Sequence, residues 1–242
     1  METALWHHYY KRTVETLRYE GPHYVFLRAL PFCFSPLGFP GLLDFFQKDL
    51  TEPLREIRAK VHLTVSQATE SDIDQITMLV KRRYAHSGTL EWYSKLGVRD
   101  TILERFQRGC KCFVAKIGEE VVHYNWIFFH REEVDPGTGV FIYMKDDEAL
   151  CNDGSTPEAW RGKSIHTAVN NQMLRFLQQT GYRKAYTIVG WQNKSSQKAL
   201  YRVGWTYSGS LVYFILRRSK KCLKWWIRGS LDPFIGETDS KK

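Results

Sequence analysis

The sequence predicts an α/β (α+β) fold, and three observations carry that prediction. Glu148 to Ser155 reads as a strand that runs through the turn Thr156-Pro157-Glu158-Ala159-Trp160-Arg161-Gly162-Lys163-Ser164-Ile165-His166 into a long helix. A second strand, Lys184 to Trp191, is followed by a short helix that opens at Asn193 and stops at Gly204. Upstream, between Val61 and about residue 145, a strand, two amphipathic helices and a run of strands follow one another.

Taken in order, Val61 to Val65 forms the first core strand. Ser71 or Asp72 caps a helix whose buried stripe is Ile73, Ile76, Leu79 and Val80, and Arg99 to Arg108 gives a second helix with Ile102, Leu103 and Phe106 inward. Strands follow around 111–117, 120–130 and 139–145, divided by the turns Gly118-Glu119 and Asp135-Pro136-Gly137. In the long helix Ile165, Ala168, Val169, Met173, Phe176 and Leu177 recur at three- and four-residue spacing, with Gly181 as a left-handed stop.

The turn before that helix has the chemistry of an anion site. The first N–H groups of a helix have no intrahelical partner, and its dipole is positive there, so a pyrophosphate is favoured at that end. Gly162 lets backbone come close, and Arg161 and Lys163 add charge. The alternative for Arg161-Gly162-Lys163 is an ordinary solvated loop.

The turn 157–165, followed at a set distance by Asn193, Ser196, Ala199, Gly204 and Trp205, resembles the GNAT superfamily of acyl-CoA-dependent N-acyltransferases over residues 61–216. The resemblance implies a mixed, mainly antiparallel central sheet with a V-shaped splay between two parallel strands, here 148–155 and 184–192, and helices on both faces. It implies that Trp160, Arg161, Gly162, Lys163, Ser164 and Ile165 wrap the pyrophosphate of acetyl-CoA or another acyl-CoA. Asn193 and Ser196 meet the pantetheine arm or cap the short helix. The chain departs from the family turn at Ala159, where the family has Gln or Arg, and at Ser164, where it has Gly or Ala. The family tyrosine that protonates the departing thiolate falls at Leu200, one residue before Tyr201. One residue is about a 100° rotation on a helix, so Tyr201 is a candidate acid whose alternative is a packed ring with a wetted hydroxyl.

Amide formation needs a neutral amine, a polarised thioester carbonyl and a proton acceptor. Asp153 is the first candidate base, with Glu148 and His123 as reserves. Each has a structural alternative: a turn carboxylate, a loop acid and a satisfied strand histidine. The stretch Lys81 to Lys95, with Tyr84, His86, Trp92 and Tyr93, occupies the region that in the resembled family covers the acceptor.

A chain of 242 residues with 43% hydrophobic and 25% charged residues suits a globular core. Five cysteines, at 33, 110, 112, 151 and 222, form no Cys-x-x-Cys pair, so neither a disulfide partner nor a metal is expected. No signal-peptide layout or long apolar run is read, and the expectation is a cytoplasmic protein that touches a membrane surface at most peripherally. The net charge of +9 is uneven: from Arg161 to Arg228 there are 14 Lys and Arg and no Asp or Glu. Beyond CoA and a small-molecule amine acceptor, that half fits an acyl carrier protein, RNA or an anionic membrane, with plain solubility charge as the alternative.

Three regions are expected: an aromatic extension at 1–60, the acyltransferase domain at 61–216, and a basic, tryptophan-bearing tail at 217–242. Prolines 31, 36 and 40 rule out a continuous helix in the aromatic stretch 22–46, which wraps the main domain, lines a pocket or meets lipid. In the tail, cations alternate with Trp225 and Trp226.

Overall fold

The computed structural model describes residues 38–84, 97–134, 140–216, 222–229 and 235–237. The expectations for the aromatic segment up to residue 37, for His86, Trp92 and Tyr93, for the turn at 135–137 and for the cations at 217–221 lie outside these residues. Residues 1–42 with 212–225 form one compact unit, and 43–211 with 226–242 form another.

Eight strands build one sheet. They are β1 (Gly38–Asp49), β2 (Thr64–Gln67), β3 (Lys111–Ile117), β4 (Glu120–Phe128), β7 (Glu148–Ser155), β8 (Lys184–Gly190), β9 (Thr206–Leu216) and β10 (Cys222–Gly229), in the order β10-β9-β1-β8-β7-β4-β3-β2. The pairs β1/β8, β4/β7, β3/β4 and β2/β3 are antiparallel, and β7/β8 is parallel. The strands β5 (Arg131–Glu133) and β6 (Val140–Tyr143) pair with each other beside this sheet, and β11 (Ile235–Glu237) pairs with β6. In the smaller unit, Gly41 lies against the ring of Tyr213, where a Cβ would meet ring atoms at 2.0 and 2.4 Å.

The helices are α1 (Ile73–Tyr84), α2 (Val98–Gln107), α3 (Ile165–Gln179) and α4 (Lys194–Val203). Alternation along the strands sends neighbours to opposite faces. Phe113 meets Phe176 of α3 with the rings tilted, while Trp126 meets Phe106 of α2 on the other side. Ile165, Val169, Met173, Leu174 and Leu177 are 2% exposed or less against Ala115, Val122, Ala149 and Cys151. Each such side chain contributes about 1.5–3 kcal/mol of burial, which holds α3 and the turn before it on the sheet.

The first helix begins differently from the sequence expectation. Thr69 is the N-cap, its N–H donating to Asp72 Oδ2 at 3.0 Å, and Glu70–Asp72 forms a 3-10 turn ahead of α1. Asp72 also meets Lys116 Nζ at 2.6 Å, so its carboxylate ties the helix start to β3. Residues 43–49, read as part of the extension, pair with β8 from Leu43↔Gly190 to Asp49↔Lys184. Phe45 and Phe46 of that aromatic stretch are each 1% exposed.

Two features position the site. The β7/β8 ladder covers Glu148↔Lys184, Ala149↔Ala185 and Leu150↔Tyr186 only, although β7 runs on to Ser155 and β8 to Gly190, so the strands splay beyond that point. On the other edge of β7, Tyr124 pairs with Ser155 and Trp126 with Asn152, leaving Asp153 and Gly154 opposite Asn125 alone. That is a β-bulge, a device that re-aims side chains where a ladder ends. Asp153 takes a left-handed φ of 60° there, and a Cβ on Gly154 would meet Asn125 Cγ at 2.8 Å.

Candidate functional site

The open end of the splay leads straight into the turn. A 3-10 turn, Glu158–Trp160, carries the chain from β7 to Gly162 and Ser164, both left-handed at φ 77° and 58°, and Ser164 is the N-cap of α3. Nothing lies within 4 Å of where a Gly162 Cβ would be. Among the described residues, no carbonyl accepts from the N–H groups of residues 162–167; the first N–H of the region to close a helical bond is that of Ala168, to Ser164 O at 3.1 Å. These donors at the positive end of a 15-residue helix form an open anion cradle. Ser164 makes no side-chain cap bond, which leaves its hydroxyl for a ligand.

The flanking side chains brace the turn. Arg161 Nε donates to Thr156 O at 3.2 Å, Lys163 Nζ sits 4.2 Å from the Trp160 ring centroid, and Trp160 Nε1 donates to Glu120 Oε1 at 3.4 Å. Ile165 is buried as the first inward residue of α3. Across the splay, Asn193 caps α4, its Oδ1 accepting from Ser196 N at 3.1 Å.

The acid candidates separate in space. Glu148 lies at the closed end of the splay, 4% exposed, accepting from Tyr186 Oη and from Lys145 N, each at 3.1 Å. Burial and that carboxylate together push the Tyr186 hydroxyl up. Asp153 lies at the open end with its lone pairs engaged. Arg105 Nη1 is 2.5 Å from Oδ2, Arg83 Nη1 is 2.8 Å from Oδ1, and Tyr84 Oη donates to Oδ1 at 3.1 Å. A carboxylate shared by two guanidiniums is a poor place for an incoming proton. Tyr201 is 55% exposed and packs edge-on against Phe46, with centroids 5.4 Å apart, while Leu200 beside it is buried.

A histidine pair underlies the turn. His123 is fully buried, with Nδ1 2.7 Å from Thr156 Oγ1 and Nε2 without a partner among the described residues. His166, in the first turn of α3, meets it edge-on at 5.3 Å. Burial, then the neighbouring charge of His166 and of Arg83, holds His123 well below the usual imidazole range. Burial and Arg83 pull His166 down to about 4. Both rings are therefore neutral at pH 7.

The sequence reading missed Arg83 and Arg105, the two partners of Asp153. Lys81-Arg82-Arg83 closing α1 was the available signal, because cations there otherwise only complement the helix dipole. Burial also pushes up the thiols of Cys110, Cys112 and Cys151, so none of these is a thiolate nucleophile at neutral pH. Among the described residues no cluster of His, Cys, Asp and Glu could hold a metal, and no helix is long and apolar enough to cross a membrane.

No protein-family model matches the chain, and no curated protein matches it. Solved structures do. A GCN5-related N-acetyltransferase from Sphaerobacter thermophilus aligns at TM-score 0.54 and 11% identity over 84% of this chain and 57% of its own. A GNAT-family acetyltransferase from Colwellia psychrerythraea aligns at 0.52 and 14% over 79% and 62%. An N-acetyltransferase from Staphylococcus aureus aligns at 0.51 and 13% over 69% and 97%. The chain thus spans 57% and 62% of the lengths of the first two. At these identities the likeness is one of architecture: the chain has the GNAT fold.

Proposed function

We propose that this chain is an acyl-CoA-dependent N-acyltransferase, most simply an N-acetyltransferase, acting on the amine of a small-molecule acceptor by direct attack in a ternary complex. The observation that carries this reading is the splay beyond Leu150 and Tyr186 opening onto the unpaired N–H groups of residues 162–167. A pyrophosphate seated there uses those donors, the Ser164 hydroxyl and the charges of Arg161 and Lys163. The pantetheine arm lies between β7 and β8, whose unpaired inner edges offer it backbone partners, with the free amide N–H groups of Asn193 at the mouth.

Acyl-CoA supplies the thioester carbon. The amine lone pair forms the N–C bond, the C–S bond breaks with its electron pair passing to sulfur, the amine proton leaves through water and the thiolate takes up a proton. Backbone N–H groups at the bulged end of β7 polarise the carbonyl. With the thiols of Cys110, Cys112 and Cys151 pushed up by burial, direct attack is favoured over an acyl intermediate on any of these three. In this reading Asp153 positions Arg83 and Arg105, and Thr156 with His123 orients the water that receives the proton.

Calorimetry with CoA, acetyl-CoA and longer acyl-CoAs, followed by thiol release across an amine panel, tests this. Saturable binding and amine-dependent release support it. Absence of binding to every acyl-CoA overturns it.

A further inference from the structure

The chain from Leu50 to Lys60 is a strap tied to both ends of α3. In the last turn of the helix, Gln178 Nε2 donates to Leu50 O at 2.6 Å and to Glu52 O at 3.0 Å. Ahead of its first turn, Lys60 N donates to Lys163 O at 2.9 Å. Between these ties residues 53–59 form neither helix nor strand. A helix of 15 residues is about 22 Å long, and the steps from Glu52 to Lys60 reach at most about 28 Å, so the strap runs nearly extended along α3.

A cavity of about 350 Å³ lies between the strap and the helix. Ile57, Val61, Leu63 and Val65 line it from the strap and from the chain that leads into β2. From α3 come Ala168, Asn171, Gln172 and Arg175, whose spacing puts them on one helix face. Asn171 is 5% exposed, and its amide has no hydrogen-bond partner among the described residues, whereas Asn170 beside it donates back to His166 O at 3.2 Å. A buried amide without a partner is costly, so one placed on a cavity wall calls for an occupant that satisfies it.

Charge narrows the occupant. The lining holds two arginines against one glutamate, and Glu56 is already held by Arg58 at 2.7 Å. Arg175 is half-buried and forms no hydrogen bond or ion pair among the described residues. Its field reaches Glu56, whose side chain is 61% exposed, so solvent screens that attraction. Asn171 and Arg175 are i, i+4 neighbours with Cβ atoms about 5–6 Å apart. A guanidinium beside a primary amide suits the two coplanar oxygens of a carboxylate, and the four apolar side chains opposite suit a hydrocarbon body.

We infer that this cavity binds a small organic monocarboxylate with a hydrocarbon body of about eight to ten carbons, a size set by the roughly 30 Å³ that a water-sized group occupies. The carboxylate meets Arg175 and the Asn171 amide, and the body lies on Ile57, Val61, Leu63 and Val65. This site lies along the flank of α3 and not at the N–H groups of its first turn, so it stands independently of the transferase reading.

The test is calorimetry on the full chain with octanoate and decanoate below their micellar concentrations. Octanamide, acetate and octyl phosphate serve as comparison ligands, and each titration is repeated in saturating CoA. Saturable one-to-one binding of octanoate or decanoate is expected, at least about tenfold tighter than octanamide or acetate, with CoA present or absent. Arg175→Gln should bring the ratio of octanoate to octanamide affinity to about one, and Arg175→Lys should retain part of it. Asn171→Leu should weaken octanoate at least about fivefold while the melting temperature holds or rises, because an apolar group of similar size replaces an unpartnered amide. Circular dichroism verifies folding; should Arg175→Gln fail to fold, the Arg175→Lys ratio decides.

Absence of binding by every ligand overturns the inference, as does equal affinity for acid and amide. Octyl phosphate binding more tightly than octanoate overturns the choice of group. Competition between octanoate and CoA puts the acid in the splay of β7 and β8 and overturns the site. A lower melting temperature in Asn171→Leu with octanoate affinity intact makes that amide structural and overturns its role. Octanoate binding that depends on Arg175 in a chain that releases no thiol with any amine supports this site while overturning the transferase reading.

Discussion

Arg105 Nη1 lies 2.5 Å from Asp153 Oδ2, each side chain 10% exposed, joining α2 to the bulge of β7 across 48 residues of sequence. With Arg83 on the other carboxylate oxygen, this pair fastens both helices of one face to the strand that opens the splay. Removing the carboxylate strands two cations. Asp153→Ala is therefore expected to cost about 3 kcal/mol in urea unfolding, as when one partner of a buried pair is lost. A loss under about 0.5 kcal/mol would show that the pair is solvated and dispensable.

The bulge makes its own demand. An added methyl at Gly154 meets Asn125 Cγ at 2.8 Å and Oδ1 at 2.9 Å, and that Oδ1 already accepts from Trp126 N at 3.0 Å. Gly154→Ala should destabilise by about 1–3 kcal/mol, and Asn125→Ala in the same chain should recover part of the loss. Strictly additive effects in the double-mutant cycle would disprove the clash.

In the turn before α3, space is open but charge matters. Gly162→Asp puts a carboxylate where an anion is to bind, with nothing within 4 Å to clash and only the strain of φ 77° to bear, about 1 kcal/mol. A folded variant whose acetyl-CoA affinity falls by at least about tenfold is expected from calorimetry. Native affinity in that variant would place the pyrophosphate elsewhere.

Tyr201, exposed and resting on Phe46, tests the thiolate-protonating role. Tyr201→Phe keeps the ring contact and removes the hydroxyl. Its kcat should stay within about threefold of the parent, since general acid catalysis would contribute about a hundredfold or more. A fall of that larger size in single-turnover rates would make Tyr201 the acid.

The histidine pair predicts an acid limb. His166 is held at about 4 in the folded chain against 6.5 for a free imidazole, and His123 is lowered too. The unfolded chain thus binds more protons between these values, so the stabilising contribution is complete above pH 6.5 and is lost as pH falls toward 4. Melting temperatures at pH 7.5, 6, 5 and 4 should decline more steeply for the parent than for His166→Gln. Parallel curves would show that His166 titrates alike in both states.

Most of the framework was legible in the chain. The strand at 148–155, the helix from Ile165, the strand from Lys184 and the short helix stopping at Gly204 all appear where periodicity and capping put them, because each is set by neighbours within a few residues. The cradle at 162–167 was legible for the same reason, since a glycine-containing turn before an amphipathic helix exposes N–H groups whatever surrounds it.

Tertiary structure decided the rest. That Phe45 and Phe46 lie in a strand beside β8 depends on pairing across about 140 residues of sequence, which the proline-broken aromatic run does not signal. Asp153 reads locally as a turn residue, and only the bulge opposite Asn125 turns it toward Arg83 and Arg105. The sequence by itself determined the order of elements and the open turn before α3, because backbone propensity and hydrophobic period are local. Which charges meet at the mouth of the splay was settled by long-range packing, because an ion pair between α2 and β7 exists only once both sit on the same sheet.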